Sequence, residues 1–206
     1  MAECFNIMKK TIFIIFISAF FFIGWADTWE DIKKGAENIS SVQADFIQEK
    51  HMKILSKPLI SKGSFCYQAP GSLRWEYLSP IQSILLMHKG KTKRFIKTGE
   101  NYVEDSGANL QAMQIVLHEI TQWLNGRFDS NPEFKASLES NPAKIVLMPR
   151  KKAFASIIQK IELILSEQAG VINTVIIYEN QDSYTKLIFK NSLLNKKIDE
   201  SRFKKI

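Results

Sequence analysis

The sequence predicts a mainly β (α+β) protein: one domain of about nine to eleven antiparallel strands, with one helix at the start and one or two in the middle to cover a bent sheet. Three observations predict it. Apolar residues fall on every second position through much of the chain, as half-buried strands require. Two stretches, around 29–39 and 110–124, change to a period of three to four, which marks amphipathic helices. Turn residues recur at short intervals between the strands, as antiparallel connections need. No repeat, low-complexity tract or linker divides the chain.

The first segment reads as an address rather than as fold. Lys9 and Lys10 precede the apolar run Thr11 to Ala26, which ends in the small residues Gly24 and Ala26. That order is the layout of a secretory signal peptide. The run is shorter than the ~20 apolar residues a membrane-spanning helix needs. The expected organisation is therefore a signal peptide at 1–26, cleaved near Ala26, and a soluble exported domain at 27–206. Cys4 precedes the run, so it is not placed to take a lipid at the cleavage site. Only Cys66 remains after cleavage, and no internal disulfide is expected. It falls on the strand face opposite Phe65 and Tyr67, and reads as an unpaired surface or edge thiol.

Lysine and arginine number 28 against 21 acids, for a net charge of +7. Export excludes nucleic acid as the partner. Anionic lipid head groups or acidic proteins fit a basic exported surface better. The clusters at 149–152 and 202–205 read as solvated ends.

Trp29, Ile32, Ala36 and Ile39 form the stripe of the first helix, with Asp27 or Thr28 as its cap and Gly35 weakening it. Val42, Ala44 and Phe46 then alternate along a strand. The stretch "GSFCYQAPGSLRWEYLSP", 63–80, reads as a hairpin of strands 59–68 and 72–78 around Ala69-Pro70-Gly71. Its large residues Phe65, Tyr67, Leu73, Trp75 and Tyr77 share one face. Pro80 ends the run, because proline cannot donate to a sheet ladder. Strands at 82–88 and 92–97 are joined through Gly90, and 98–109 reads as a loop. The second helix, 110–124, carries Leu110, Met113, Val116, Leu117, Ile120, Trp123 and Leu124 on one broad face and stops at Asn125-Gly126. From Phe134 onward the pattern is strands and turns alone. A sheet with one apolar face must cover it, and the two helices are available to do so.

Catalytic patterns do not occur. His51, His88 and His118 are far apart, and neither H-x-x-x-H nor C-x-x-C spacing is present. There is no nucleophile elbow and no phosphate loop. No enzyme activity, metal or cofactor is expected.

The segment Ser41 to Phe95 resembles the outer-membrane lipoprotein carrier protein (LolA) family. The residues that carry the resemblance are Ser41, Ala44, Phe46, Gln48, Gly63, Phe65, Pro70, Leu73, Trp75, Tyr77, Pro80 and Gly90-Lys91. The closing stretch "YTKLIFKNSLLNKKIDESRF" is similar to the family's ending, so the resemblance spans most of 28–203. It implies an open, strongly curved antiparallel β-barrel with a helical lid, enclosing a hydrophobic cavity that carries the acyl chains of a lipoprotein or another lipid across the periplasm from inner to outer membrane. The residues it implies for the cavity are Phe46, Phe65, Tyr67, Leu73, Trp75, Tyr77, Ile84, Leu86, Met113, Leu117 and Ile120. It also implies an inner-membrane donor complex, an outer-membrane acceptor and a monomeric carrier. The best-studied members have an arginine before the hairpin proline that holds the lid shut; this chain has Ala69 there, leaving Arg74 or Lys62 as candidates for that task. A lipid-sensing regulatory domain on the same scaffold is the alternative, and a structural or adhesion module with a filled barrel is a third reading.

Overall fold

A computed structural model describes residues 28–105 and 109–206. The expected signal peptide, 1–26, lies outside the described residues. The chain opens with helix α1 (Trp29–Glu37) and continues through strands β1 (Ser41–His51), β2 (Leu59–Gln68), β3 (Ser72–Ser79), β4 (Ser83–His88), β5 (Lys91–Thr98) and β6 (Asn101–Asp105). Helix α2 (Asn109–Leu124) follows. Then come β7 (Phe134–Glu139), β8 (Lys144–Pro149), the short helix α3 (Lys152–Ala155), β9 (Lys160–Leu165), β10 (Ile172–Asn180), β11 (Ser183–Leu194) and a final 3₁₀ turn, Glu200–Phe203.

These eleven strands form one antiparallel, strongly curved sheet in the order β6-β5-β4-β3-β2-β1-β11-β10-β9-β8-β7. It is an open barrel, because β6 and β7 stand at the two ends of that order and do not pair with each other. The first and last long strands, β1 and β11, pair at its centre, with Phe46 opposite Phe189 and Gln48 opposite Leu187. Chain closure is thus a long-range event: the two meandering halves each build locally, and β1–β11 joins them.

Local chemistry fixes α1. Thr28 caps it: its hydroxyl accepts from the Asp31 N–H at 3.2 Å, and the Asp31 carboxylate accepts from the Thr28 N–H at 3.3 Å. This reciprocal pair satisfies two N-terminal donors that the helix itself leaves open. The Thr28 hydroxyl, which donates to the Asp31 carboxylate at 2.6 Å, and after it the Thr28 N–H hold that carboxyl below its usual range. Ile32 and Ala36 are buried. The turn between β9 and β10 meets the helix closely: a Cβ on Gly170, whose φ is +79°, would lie 2.2 Å from the Ala36 nitrogen. Only glycine suits that conformation and that approach.

Two readings of the sequence need correction. The segment 98–109 is not all loop, because Asn101–Asp105 adds the edge strand β6, with Ile96 opposite Val103. Polar residues there hide the alternation an exposed edge does not need. Likewise the stretch after Phe134 is not strands alone: α3 interrupts it before β9.

Candidate functional site

Register decides which side chains reach the concave face. Ala44 stands opposite Phe65, Phe65 opposite Trp75, and Trp75 opposite Leu85. On the other half Val175 stands opposite both Leu187 and Leu163, and Ile177 opposite Ile161. In a pleated sheet, directly opposed residues share a face, so these rows make one apolar surface. Helix α2 crosses it, with Leu117 and Trp123 buried.

Between helix and sheet lies a cavity of about 380 Å³, within the size range of small-ligand pockets. Phe65, Trp75, Tyr77 and Leu85 line it from one half of the sheet, and Ile161, Val175, Ile177, Leu187 and Phe189 from the other. Leu117, Ile120, Trp123 and Leu124 line it from α2. The rings of Phe65 and Trp75 meet edge to face at 5.3 Å, and Phe65 and Phe189 lie 5.7 Å apart, so aromatic faces from both halves meet at one wall.

Polar groups are few and sit in pairs. The Tyr77 hydroxyl donates to Gln48 Oε1 at 2.8 Å, and burial pushes the phenol up, against a smaller downward pull from the nearby Trp75 N–H. The Asn131 amide donates to Glu119 Oε1 at 2.8 Å. Burial pushes the Glu119 carboxyl above its usual range, partly offset by that bond and by His118. Thr185 and Ser192 complete the polar part of the wall.

The structure distributes the residues expected at the cavity into four groups. Phe65, Trp75, Tyr77, Leu117 and Ile120 line it. Phe46, Tyr67 and Leu73 belong to the same core cluster, 0–1 % exposed, but pack around the cavity rather than forming its wall. Ile84 and Leu86 are misplaced by one residue: they point to the opposite face, where they pack with Phe95 and Tyr102, and Leu85 takes the inward position. Strand β4 reads "SILLMH", apolar on both faces, so alternation alone does not fix its parity. The side chain of Met113 lies outside the described residues. The sequence did not single out the β9–β11 wall: Val175-Ile176-Ile177 and Leu187-Ile188-Phe189 are apolar on both faces, so alternation does not show which residues point inward.

Cys66 also differs from expectation. It is buried, 3 % exposed, not a surface or edge thiol. The C-terminal turn lies over that outer face. Arg74 donates to the carbonyls of Arg202 and Lys205 at 3.2 and 2.7 Å and pairs with Glu76 at 2.8 Å. Phe203 is buried there, stacked on His88 at 6.3 Å. Arg74 therefore anchors the chain's end on the convex side and is not free to lock a helix on the concave one, and Lys62 is exposed.

An open antiparallel sheet with a helix across its hollow and an apolar cavity between them defines a class of cavity-bearing β proteins. The chain belongs to the family described as outer membrane lipoprotein carrier protein LolA, whose profile matches residues 37–205. Among curated proteins none matches. Among solved structures it is similar to an uncharacterized conserved protein from Thermus thermophilus, at 10 % identity and TM-score 0.53, over 86 % of this chain and 90 % of that one. It is also similar to a chain of the Pseudomonas aeruginosa MucA/MucB complex, at 14 % identity and TM-score 0.51, over 85 % of this chain. This chain spans 59 % of that one's length. These likenesses concern the fold. No described helix is long and apolar enough to cross a membrane.

Proposed function

We propose that the protein is a periplasmic carrier that shields the acyl chains of a lipoprotein, or of another lipid, between an inner-membrane donor and an outer-membrane acceptor. The observation that carries this reading is the apolar cavity of about 380 Å³ under α2. Burying one methylene is worth ~0.8 kcal/mol. Three acyl chains hold some 40 such groups, so their exposure in water costs on the order of 30 kcal/mol. Free diffusion of such a lipid is excluded, and a sheet that stays open on one side, covered by a helix, can take up and release chains without catalysis. The basic surface and the N-terminal pattern fit export.

Native mass spectrometry of protein taken from periplasmic extract tests the reading. Co-purifying acyl lipid and an N-terminus at or near Asp27 support it; a ligand-free cavity that no acyl probe enters, or a product retaining Met1 in the membrane, overturns it. The likeness in fold to a MucA/MucB chain favours one second reading, a lipid-sensing domain that binds a regulatory partner. Loss of outer-membrane lipoprotein on deletion separates the carrier from the sensor.

A further inference from the structure

We propose that the end of the sheet where β1 turns into β2 and β3 into β4 is a docking surface for an anionic lipid bilayer. The inference goes beyond the carrier reading and does not depend on what the cavity holds. Eleven large apolar side chains stand exposed among the described residues, and six of them fall between positions 54 and 81: Ile54, Leu55, Leu59, Ile60, Leu78 and Ile81. Register brings them to one end. Leu59 opens β2 opposite Lys50 near the end of β1, and Lys62 stands opposite Ser79 at the end of β3. The loop 52–58 and the turn 80–82 therefore leave the sheet side by side. Ile54 is 85 % exposed on the first and Ile81 is 68 % exposed on the second.

Single exposed apolar residues are ordinary, but a cluster of them marks a contact surface. The charges around this cluster choose its partner. No acidic residue occurs between Glu49 and Glu76. Lys53, Lys57 and Lys62 stand exposed among the apolar positions. Two acids share this end of the sheet: Asp182, in the turn between β10 and β11, lies 2.9 Å from Lys53, and Glu100 sits in the turn between β5 and β6. The cores of protein–protein interfaces are poor in lysine, whose strongly hydrated ammonium would have to shed its water there. At a bilayer surface a lysine keeps its charge among the phosphates and lays its methylenes along the apolar boundary. Isoleucine and leucine beside it enter the acyl region, and anionic head groups add attraction for each lysine. Apolar tips flanked by lysines thus match an anionic bilayer better than a neutral one or a folded partner.

The test is co-sedimentation of the protein recovered from periplasmic extract with two kinds of vesicle: phosphatidylethanolamine mixed with phosphatidylglycerol, and phosphatidylcholine alone. Wild type is expected to bind the anionic vesicles about tenfold more tightly than the neutral ones, and the preference should shrink as salt rises. Ile54→Ser combined with Ile81→Ser removes two exposed tips and costs the fold little. That variant should bind anionic vesicles about tenfold more weakly, with its melting temperature and its acyl-probe binding in solution unchanged. Lys57→Gln combined with Lys62→Gln should weaken binding to the anionic vesicles by about tenfold and leave binding to the neutral ones as it is. Wild type and variants share one N-terminus, so any contact it makes cancels in the comparison. Wild type that stays in the supernatant with both kinds of vesicle, or an isoleucine variant that sediments as wild type does, overturns the proposal. So does a wild-type dimer, measured by sedimentation velocity without vesicles, that the isoleucine variant splits into monomers, because the surface then joins two copies of the chain. The carrier reading stands or falls separately, on acyl-probe binding in solution.

Discussion

The Tyr67 hydroxyl donates a hydrogen bond to Asn125 Oδ1 at 3.0 Å, tying strand β2 to the residue that ends helix α2. Asn125 in turn donates from its amide to the Thr121 carbonyl at 2.6 Å, a last-turn acceptor that also receives the Asn125 backbone N–H at 3.2 Å. The hairpin thus holds the end of α2 through a tyrosine, two positions before the place where an arginine would hold it in the family's best-studied members. Tyr67 is fully buried, and burial pushes its phenol up, so it stays a donor at physiological pH.

Replacing that tyrosine tests the tie. Tyr67→Phe removes one bond of ~1 kcal/mol and strands the Asn125 oxygen. We expect a stability loss of about 1–2 kcal/mol and faster amide exchange at the end of α2, with lipid loading restoring protection. Unchanged exchange would show that side-chain packing, led by Leu117 and Trp123, fixes the helix by itself.

Leu73 and Ile177 separate core from cavity wall. Leu73 is 0 % exposed in the packed core, and Leu73→Glu buries an unpaired carboxylate at a cost of several kcal/mol, a large share of the ~5–15 kcal/mol that stabilise a domain. The expected outcome is a failure to fold. Ile177 lines the cavity, so Ile177→Trp should fill open space. There we expect at least tenfold weaker acyl-probe binding with the melting temperature unchanged or raised. Denaturation curves and probe titrations of the two variants check the contrast.

Gly63 is required by close approach. A Cβ there would lie 2.0 Å from the Glu76 carbonyl oxygen and 2.6 Å from Cζ of Phe46. The Phe46 ring occupies the place where another residue would carry its side chain, opposite Gly63 in the ladder. Gly63→Ala forces backbone or ring to move, at a cost of about 1–3 kcal/mol. Chemical denaturation measures it directly, and a neutral result would mean that β2 and β3 separate without penalty.

Glu119 gives the site a pH dependence. Its carboxyl is raised above the usual value by burial, so the folded state binds its proton more tightly than the unfolded chain does. The sign follows: this group favours folding at low pH, and its contribution is lost as pH rises from the ordinary carboxylate value through the raised one. Glu119→Gln keeps an acceptor for Asn131 and removes the charge. The variant should gain stability relative to wild type at neutral pH and lose that advantage near pH ~4. Thermal melts of both proteins across that window check it; a constant difference would place Glu119 outside the titration.

Sequence alone determined the class of fold, since period two and period three to four are local properties of the chain. It placed the hairpin 63–80 and its aromatic face, because β3 is polar enough between Leu73, Trp75 and Tyr77 for its parity to show. Three things waited for tertiary structure. The parity of β4 came from its pairing with β3, since "ILL" is apolar on both faces and either register buries leucine. The burial of Cys66 came from the C-terminal turn that Arg74 fastens over it, a contact 128 residues away in sequence between Arg74 and Arg202. The division of one apolar cluster into packed core, with Phe46, Tyr67 and Leu73, and cavity wall, with Phe65, Trp75 and Tyr77, came from where α2 crosses the curved sheet. Hydrophobic pattern records only that a side chain leaves water. Whether it then meets another side chain or open space depends on the spacing between elements, which no local period encodes.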